Sequence, residues 1–468
     1  MTDAALQLPP ARLLPAEPTT RGIARRLYAA VRDLPIISPH GHVPPEWIAE
    51  DVAFGDPTSL LISPDHYVTR LLHAHGVPLS QLGVGGTPVD PREAWRALCT
   101  HWAAFRGTPS RFWLESELAD ILGVTVGPSA ATADAIYDQV AETLRRPDFR
   151  PRALLDRFGI EVLATTDAPA DDLAHHAAIR DDAAVRTRVL PTFRPDRYLE
   201  PGRSDWPELV DALGAAADTD TSGYKGFITA LEDRRRHFIA HGAVSADHSH
   251  ADVGTAPLDP SEAERIFMAA RAGTTTPDEA TALRRHLLLE MARMSVDDGL
   301  VMTLHPGVYR NHHTPTHRRF GADVGGDIPT AMEFTRGLQP LLSRYGTAPG
   351  FHLVLFTLDE TVFSREIAPL AGFYPSVYAG APWWFLDAPE AIRRYRSAVT
   401  ETAGFGRTSG FIDDTPAFCS TPPRHDMSRR LDCGYLAELV ATHRLDEDEA
   451  FATAHDLVAV NPKVAFKL

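Results

Sequence analysis

Short apolar runs that end in a polar residue recur eight times along the 468 residues, and this repeat constrains the fold more than any other feature. They lie at 34–38 before His40, 162–166 before Asp167, 189–193 before Arg194 and 243–246 before Asp247. The series continues at 301–304 before His305, 353–356 before Thr357 and Asp359, 377–380 before Trp383 and Trp384, and 410–412 before Asp413 and Asp414. Most are continuously apolar, as parallel strands buried on both faces must be, and helix-like segments such as 260–272, 277–294 and 389–403 separate them. Repeated β/α units with polar strand ends predict an α/β chain folded as a distorted (β/α)8 barrel over 1–468, with its functional site at the polar ends.

One interval is too long for a single crossover helix. Between the first and second runs lie roughly 120 residues, with helix-like segments at 91–102, 131–145 and 151–158, so a helical insertion over 47–158 is expected within the barrel. Its loop residues Asp65-His66-Tyr67 and the stretch from Phe105 to Trp113 would then cover the barrel mouth. The interval from Asp252 to Gly299 is expected to hold two helices.

A 44% hydrophobic content supplies a large core. The net charge of −16 argues against nucleic-acid and anionic-membrane partners and points to small solutes. Three cysteines, Cys99, Cys419 and Cys433, show no pairing pattern, which fits a reducing compartment and the cytoplasm. No cationic segment leads into a long apolar run, and no stretch reaches the roughly 18 apolar residues of a membrane span.

His40-Gly41-His42 carries the chemistry. Side chains two apart on an extended segment share a side, so both imidazoles can reach one metal ion at the barrel mouth. The pattern alone is weak, since 21 histidines give about one such spacing by chance, and His73-Ala74-His75 and His248-Ser249-His250 repeat it. His73 and His75 fall in a helix-like stretch, where such positions diverge, and read as surface or packing residues.

A histidine pair after the first strand, a histidine after a middle strand and an aspartate after the last match the metal-site plan of the amidohydrolase superfamily. The segments from Asp33 to His42, Asp65-His66-Tyr67, Phe193-Arg194-Pro195-Asp196, Ala246-Asp247-His248, Met291 to Met294, His305 to Asn311, Trp383-Trp384-Phe385 and Gly410 to Arg430 go further. In this order, from about residue 20 to the C-terminus, the chain resembles the uronate (glucuronate) isomerases. The resemblance implies a metal-assisted aldose–ketose isomerase that converts D-glucuronate to D-fructuronate, and also D-galacturonate to D-tagaturonate. It also implies a small sugar acid as partner and a homo-oligomer.

Carried over by position, His40, His42 and Asp414 are the implied metal ligands, and Asp414 doubles as the proton-carrying carboxylate. His66, Tyr67 and His305 are implied in hydrogen bonding or proton handling. Arg194, Asp247, Trp383 and Trp384 are implied in substrate binding, and His312 and His313 receive no role. Asp413, on the opposite side of the extended segment, is expected to cap a helix. Two histidines and a carboxylate accept zinc first among divalent ions, with manganese, cobalt and nickel also suited.

The chain departs from the family pattern where an arginine two residues beyond the aspartate is replaced by Pro416, which has no side-chain donor. Arg310, Arg365 or Arg424 could supply the missing cation. Two other readings stay open here: a hydrolase, decarboxylase or non-uronate isomerase of the same superfamily, and a catalytically silent sugar-acid-binding protein.

Overall fold

The computed structural model describes residues 5–468 and shows an α/β architecture built on parallel strands. The first sheet holds β1 (Ile36–Ser38), β2 (Ile160–Ala164) and β3 (Arg188–Leu190), in that spatial order. A second sheet holds β4 (Ser245–His248), β5 (Val301–Leu304), β8 (Leu353–Leu355) and β9 (Val377–Ala379). A small antiparallel hairpin of β6 (Val308–Tyr309) and β7 (Ile328–Pro329) follows β5. All five pairings within the two larger sheets are parallel.

The two sheets are joined by single-residue contacts. Phe193 bridges to Ala246, its amide donating to the Ser245 carbonyl at 3.2 Å and its carbonyl accepting from the Asp247 amide at 2.9 Å. Pro191 explains why β3 stops at Leu190 although the apolar run continues to 193: a proline cannot donate to the ladder. β4 begins two residues later than expected, which brings Asp247 inside the strand.

The eighth expected strand, 410–412, is not formed. After β9 the ladder continues only as a bridge from Ala379 to Thr408. Gly410 then turns to φ +72, and a Cβ on it would lie 2.6 Å from Pro462 Cδ, so the close approach of the C-terminal helix Asn461–Phe466 takes the place of extended pairing.

Some helices begin where proline and a capping side chain coincide. Asp90 accepts from the Arg92 amide at 2.9 Å ahead of Pro91, and Thr276 and Glu279 form a capping box around Pro277. The helices Pro260–Arg271, Pro277–Asp298 and Pro389–Ala403 follow, the middle one ending at Gly299 with φ +85.

Between β1 and β2 the chain is helical, including His66–Ala74, Pro91–Thr100, Pro109–Ser116, Ala133–Leu144 and Pro151–Phe158. Trp95, Leu98, Phe105, Ile136, Val140 and Leu154 from this stretch share one apolar cluster with Ile36, Ile160, Leu163 and Val189 of β1–β3. Burying each such side chain is worth roughly 1.5–3 kcal/mol, so the helices are held on the sheet by the same core that holds the sheet. No helix among the described residues is long and apolar enough to cross a membrane. The three cysteines are free and buried.

Glu117 is a buried carboxyl in this helical stretch, 2% exposed. Burial, reinforced by the charge of Asp65, raises its pKa to about 8. A raised pKa means that the native state holds a proton the unfolded chain releases first, so this group's contribution to stability is full below the ordinary carboxyl range and is lost as pH rises towards 8. Glu117→Gln removes that dependence. Thermal melts should show the variant gaining on the parent steadily from pH 5 to pH 8 and holding that gain above it; a pH-independent difference would mean that Glu117 is ionised throughout.

Candidate active site

β1 ends at Ser38, and the extended chain beyond it carries His40 and His42 to the same side. Their rings stand edge to face with centroids 5.4 Å apart. From the other end of the chain, Asp414 brings Oδ1 to 3.3 Å from His40 Nε2 and 3.1 Å from His42 Nε2. Asp414 adopts φ +45, a left-handed conformation that a non-glycine residue keeps only when its surroundings hold it there.

His40, His42 and Asp414 each offer one ligand atom, all within 4.8 Å of one another, and Oδ1 of Asp414 is buried without a hydrogen-bond partner. A borderline-soft donor set of two imidazoles and a carboxylate whose atoms converge without satisfying each other fits a divalent cation. Burial pushes the Asp414 carboxyl up, but the adjoining imidazoles of His40 and His42 outweigh it and hold the pKa well below the usual range.

Behind His40 lies a second group. Asp247 in β4 accepts from Thr303 Oγ1 at 2.5 Å and from His305 Nε2 at 2.7 Å. Asp247, His40 and His305 also place their ligand atoms within 4.8 Å of one another. Because Nε2 of His305 is committed to Asp247, its Nδ1 is left buried and unpaired. Burial lowers the His305 pKa even against the Asp247 charge, so the ring is neutral near pH 7. The charge of Asp247 is maintained despite burial by His305, His40 and Arg194.

Arg194 donates from Nε to Asp196 at 2.8 Å and stands 3.6 Å from Asp247. Asp196 in turn accepts from the Ser249 amide at 2.8 Å, which fixes the guanidinium against the loop after β4. His66 stacks on Tyr67 with ring centroids 4.8 Å apart and tilts towards Trp384 at 5.3 Å, while Trp383 meets His305 edge-on at 5.0 Å. Burial lowers the pKa of His66 and raises that of Tyr67, so both are neutral.

These groups surround a cavity of about 1230 Å³. Among the residues singled out from sequence, His42, His66, Arg194, His305, Trp383, Trp384 and Asp414 line it. His40, Tyr67 and Asp247 stand behind that wall, buried at 6%, 3% and 0% exposure. Of the inserted loops, Pro64 and His66 reach the cavity, whereas Phe105 and Trp113 are buried in the core and do not cover the mouth.

Asp413 does not cap a helix. It is buried, accepts from His425 Nε2 at 3.1 Å, and its Oδ1 lies 3.4 Å from where a Cβ on Gly41 would stand. The Thr421–Ala441 helix receives no side-chain cap at all. An extended register places Asp413 opposite Asp414, but the partner it finds there, His425, is a residue of the following helix rather than a backbone amide.

Several cavity residues carry no role in the sequence reading. Asp167, directly after β2, accepts from Thr165 Oγ1 at 2.7 Å and from the Thr192 amide at 3.2 Å, and burial raises its pKa to about 7. Asp196, Glu200 and His250 form a further polar group, with His250 Nδ1 2.7 Å from Glu200. Their position just after strands is the signal that could have marked them. Pro416 lines the cavity, as does Arg310, which is anchored by Asp327 at 2.8 Å. Arg365 pairs with Glu366 away from the cavity, and Arg424 is fully buried behind it.

Comparison with known proteins agrees with this geometry. The sequence profile of the glucuronate isomerase family matches residues 19–466. A uronate isomerase of Cutibacterium acnes is 54% identical over 471 residues, covering all of both chains. The crystal structure of glucuronate isomerase from Caulobacter crescentus superposes with a TM-score of 0.97 at 46% identity, covering 99% of this chain and 98% of that one. That of uronate isomerase from Thermotoga maritima gives 0.93 at 28% identity, covering 98% and 99%. Matched by the family profile over nearly its whole length and by these relatives from end to end, the chain belongs to the glucuronate isomerase family.

Proposed function

We propose that this protein interconverts the aldose and ketose forms of hexuronates, D-glucuronate with D-fructuronate and D-galacturonate with D-tagaturonate. The observation that carries the reading is the convergence of His40, His42 and Asp414 on one wall of a polar cavity, in a chain of this family. The reaction moves a proton from C2 to C1 of the open-chain sugar and another from the C2 hydroxyl to the C1 oxygen, while charge builds on those two oxygens. A divalent ion, zinc in our reading, would be held by His40, His42 and Asp414 and would lower the cost of that charge.

The chain's own groups supply the rest. Arg194 is held charged by Asp196 and Asp247 and presents a cation suited to a carboxylate or a pair of hydroxyls. Asp247 is fully buried behind the cavity wall and accepts from Thr303 and His305, so it serves the substrate by orienting His305 and Arg194. The unpaired Nδ1 of His305 is the edge free to meet a sugar hydroxyl. Neutral His66, backed by Tyr67, offers a donor and an acceptor on the facing wall, and Trp383 and Trp384 exclude water from the sugar ring. Asp414, beside the reacting carbons in this reading, takes the C2 proton.

We also read the seven parallel strands, with the unpaired segment from Gly410 in the eighth position, as a closed (β/α)8 barrel with 47–158 as an insertion. Support comes from the His42 amide, which donates to the Thr415 carbonyl at 3.2 Å across the seam between the first and last segments.

Incubation with D-glucuronate or D-galacturonate in D₂O, followed by proton NMR and mass spectrometry, should show a ketose of unchanged heavy-atom composition. Products that have gained water or lost carbon dioxide would assign hydrolysis or decarboxylation instead. Asp414→Asn should lower kcat by about 10²–10⁴, the range of general acid–base catalysis, and Asp413→Asn by far less. Equal losses in two folded variants would contradict the assignment.

Removing both imidazoles leaves a single ligand. A His40→Ala/His42→Ala variant should therefore purify without the divalent ion that elemental analysis finds in the parent, and equal metal content would place the site elsewhere.

Pro416 lines the cavity without a donor. Pro416→Arg should raise kcat/KM on uronates by about one to two powers of ten, the worth of a charge-assisted hydrogen bond of roughly 1.5–3 kcal/mol, and leave a neutral aldose unaffected. A loss on uronates would show that another arginine already holds the carboxylate.

A further inference from the structure

Arg424 is among the largest side chains withdrawn from solvent, at 0% exposure in the Thr421–Ala441 helix. It is a permanent charge. Its Nε donates to Ser420 Oγ at 3.0 Å, and its Nη1 to Asp387 at 3.1 Å and to the Asp413 carbonyl at 3.4 Å. The guanidinium carbon lies 3.8 Å from the centre of the Trp113 ring and 4.5 Å from that of Tyr67. Both Nη2 of Arg424 and the Tyr67 hydroxyl are buried without a geometrically good hydrogen bond.

Stability alone is a poor reason for this arrangement, because a buried ion pair is commonly matched or exceeded by well-packed apolar residues of similar volume. What the guanidinium provides is geometry. Three of its contacts tie it to the Trp383–Asp387 turn, to the peptide joining Asp413 to Asp414, and to the start of its own helix. Its flat face is then presented to Tyr67, whose ring backs His66 at the cavity wall.

We infer that Arg424 is a positioning residue for the isomerisation, acting through Tyr67: the anchored guanidinium fixes the phenol against His66 so that its buried hydroxyl keeps one orientation behind the cavity wall. The inference rests on the proposed role of Tyr67 with His66 in handling protons. Arg424 does not touch the cavity, so it should influence turnover more than substrate affinity.

A double-mutant cycle tests this. Arg424→Lys keeps the charge but loses the planar fork, and should lower kcat on D-glucuronate by about tenfold or more with KM held within about threefold. Tyr67→Phe should lower kcat by itself, and adding Arg424→Lys to it should cost less than about a further threefold, since the hydroxyl to be positioned is gone. Where Arg424→Lys does not fold, Asp387→Asn takes its place, and a kcat-selective loss of about threefold, absent in the Tyr67→Phe background, is expected. Losses that multiply in the two backgrounds, or a change in melting temperature with kcat intact, would overturn the link between Arg424 and Tyr67. Full turnover by Tyr67→Phe would remove the role of Tyr67 itself and the inference with it.

Discussion

Asp414 between His40 and His42 is the interaction on which the rest of the site depends. It joins residues more than 370 positions apart. No local preference brings them together; the parallel pairings of the two larger sheets and the bridge from Phe193 to Ala246 position them. The conformation of Asp414 shows the tension in that meeting, since φ +45 costs free energy that only a fixed environment sustains. Trp384 and Asn311, also at the cavity, share positive φ values of 50° and 54°. These three residues hold left-handed backbone at the cavity wall, while the buried and largely apolar strands beneath supply the rigidity.

The parts of this architecture that were legible in the sequence are those governed by local physics. Continuous apolar runs marked seven parallel strands because strands covered on both faces cannot alternate, and proline after a capping residue marked helix starts such as Pro91 and Pro277. The eighth run was misread as a strand because its fate is decided by Pro462, distant in sequence, which packs against Gly410. Pro191 was visible in the third run, yet its effect on the ladder outweighed the apolar pattern around it.

The same division holds at the cavity. His40, His42, Arg194, His305 and Asp414 stand at strand ends, where chemistry on this type of scaffold is expected, and the structure gathers them around one space. The pairing of Asp413 with His425 and the burial of Arg424 were not legible, since both are satisfied by partners that only the packed helix supplies. A carboxylate at a chain bend reads as a cap from sequence because caps are local; here it pairs with His425 behind Asp414.

The helical stretch between β1 and β2 and the segment from His305 to Gly337 are not independent of each other. A Cβ on Gly85 would fall 2.1 Å from the Phe320 carbonyl oxygen, and one on Gly325 2.8 Å from Arg70 Cβ, so glycine lets the two backbones approach beside His66. The segment also carries Tyr309, Arg310 and Asn311 to the cavity, with Asp327 accepting from both the Arg310 side chain and the Asn311 amide. Since Arg310 also lies over the Trp384 ring at 5.2 Å, the outer wall is coupled to the tryptophan turn, and that turn through Asp387 to Arg424. Elements from the first third, the middle and the end of the chain therefore meet in one continuous set of contacts around the cavity. Displacing any one shifts the groups that line the cavity, which is why a site of imidazoles and paired charges is built on so much buried polar structure rather than on an apolar core alone.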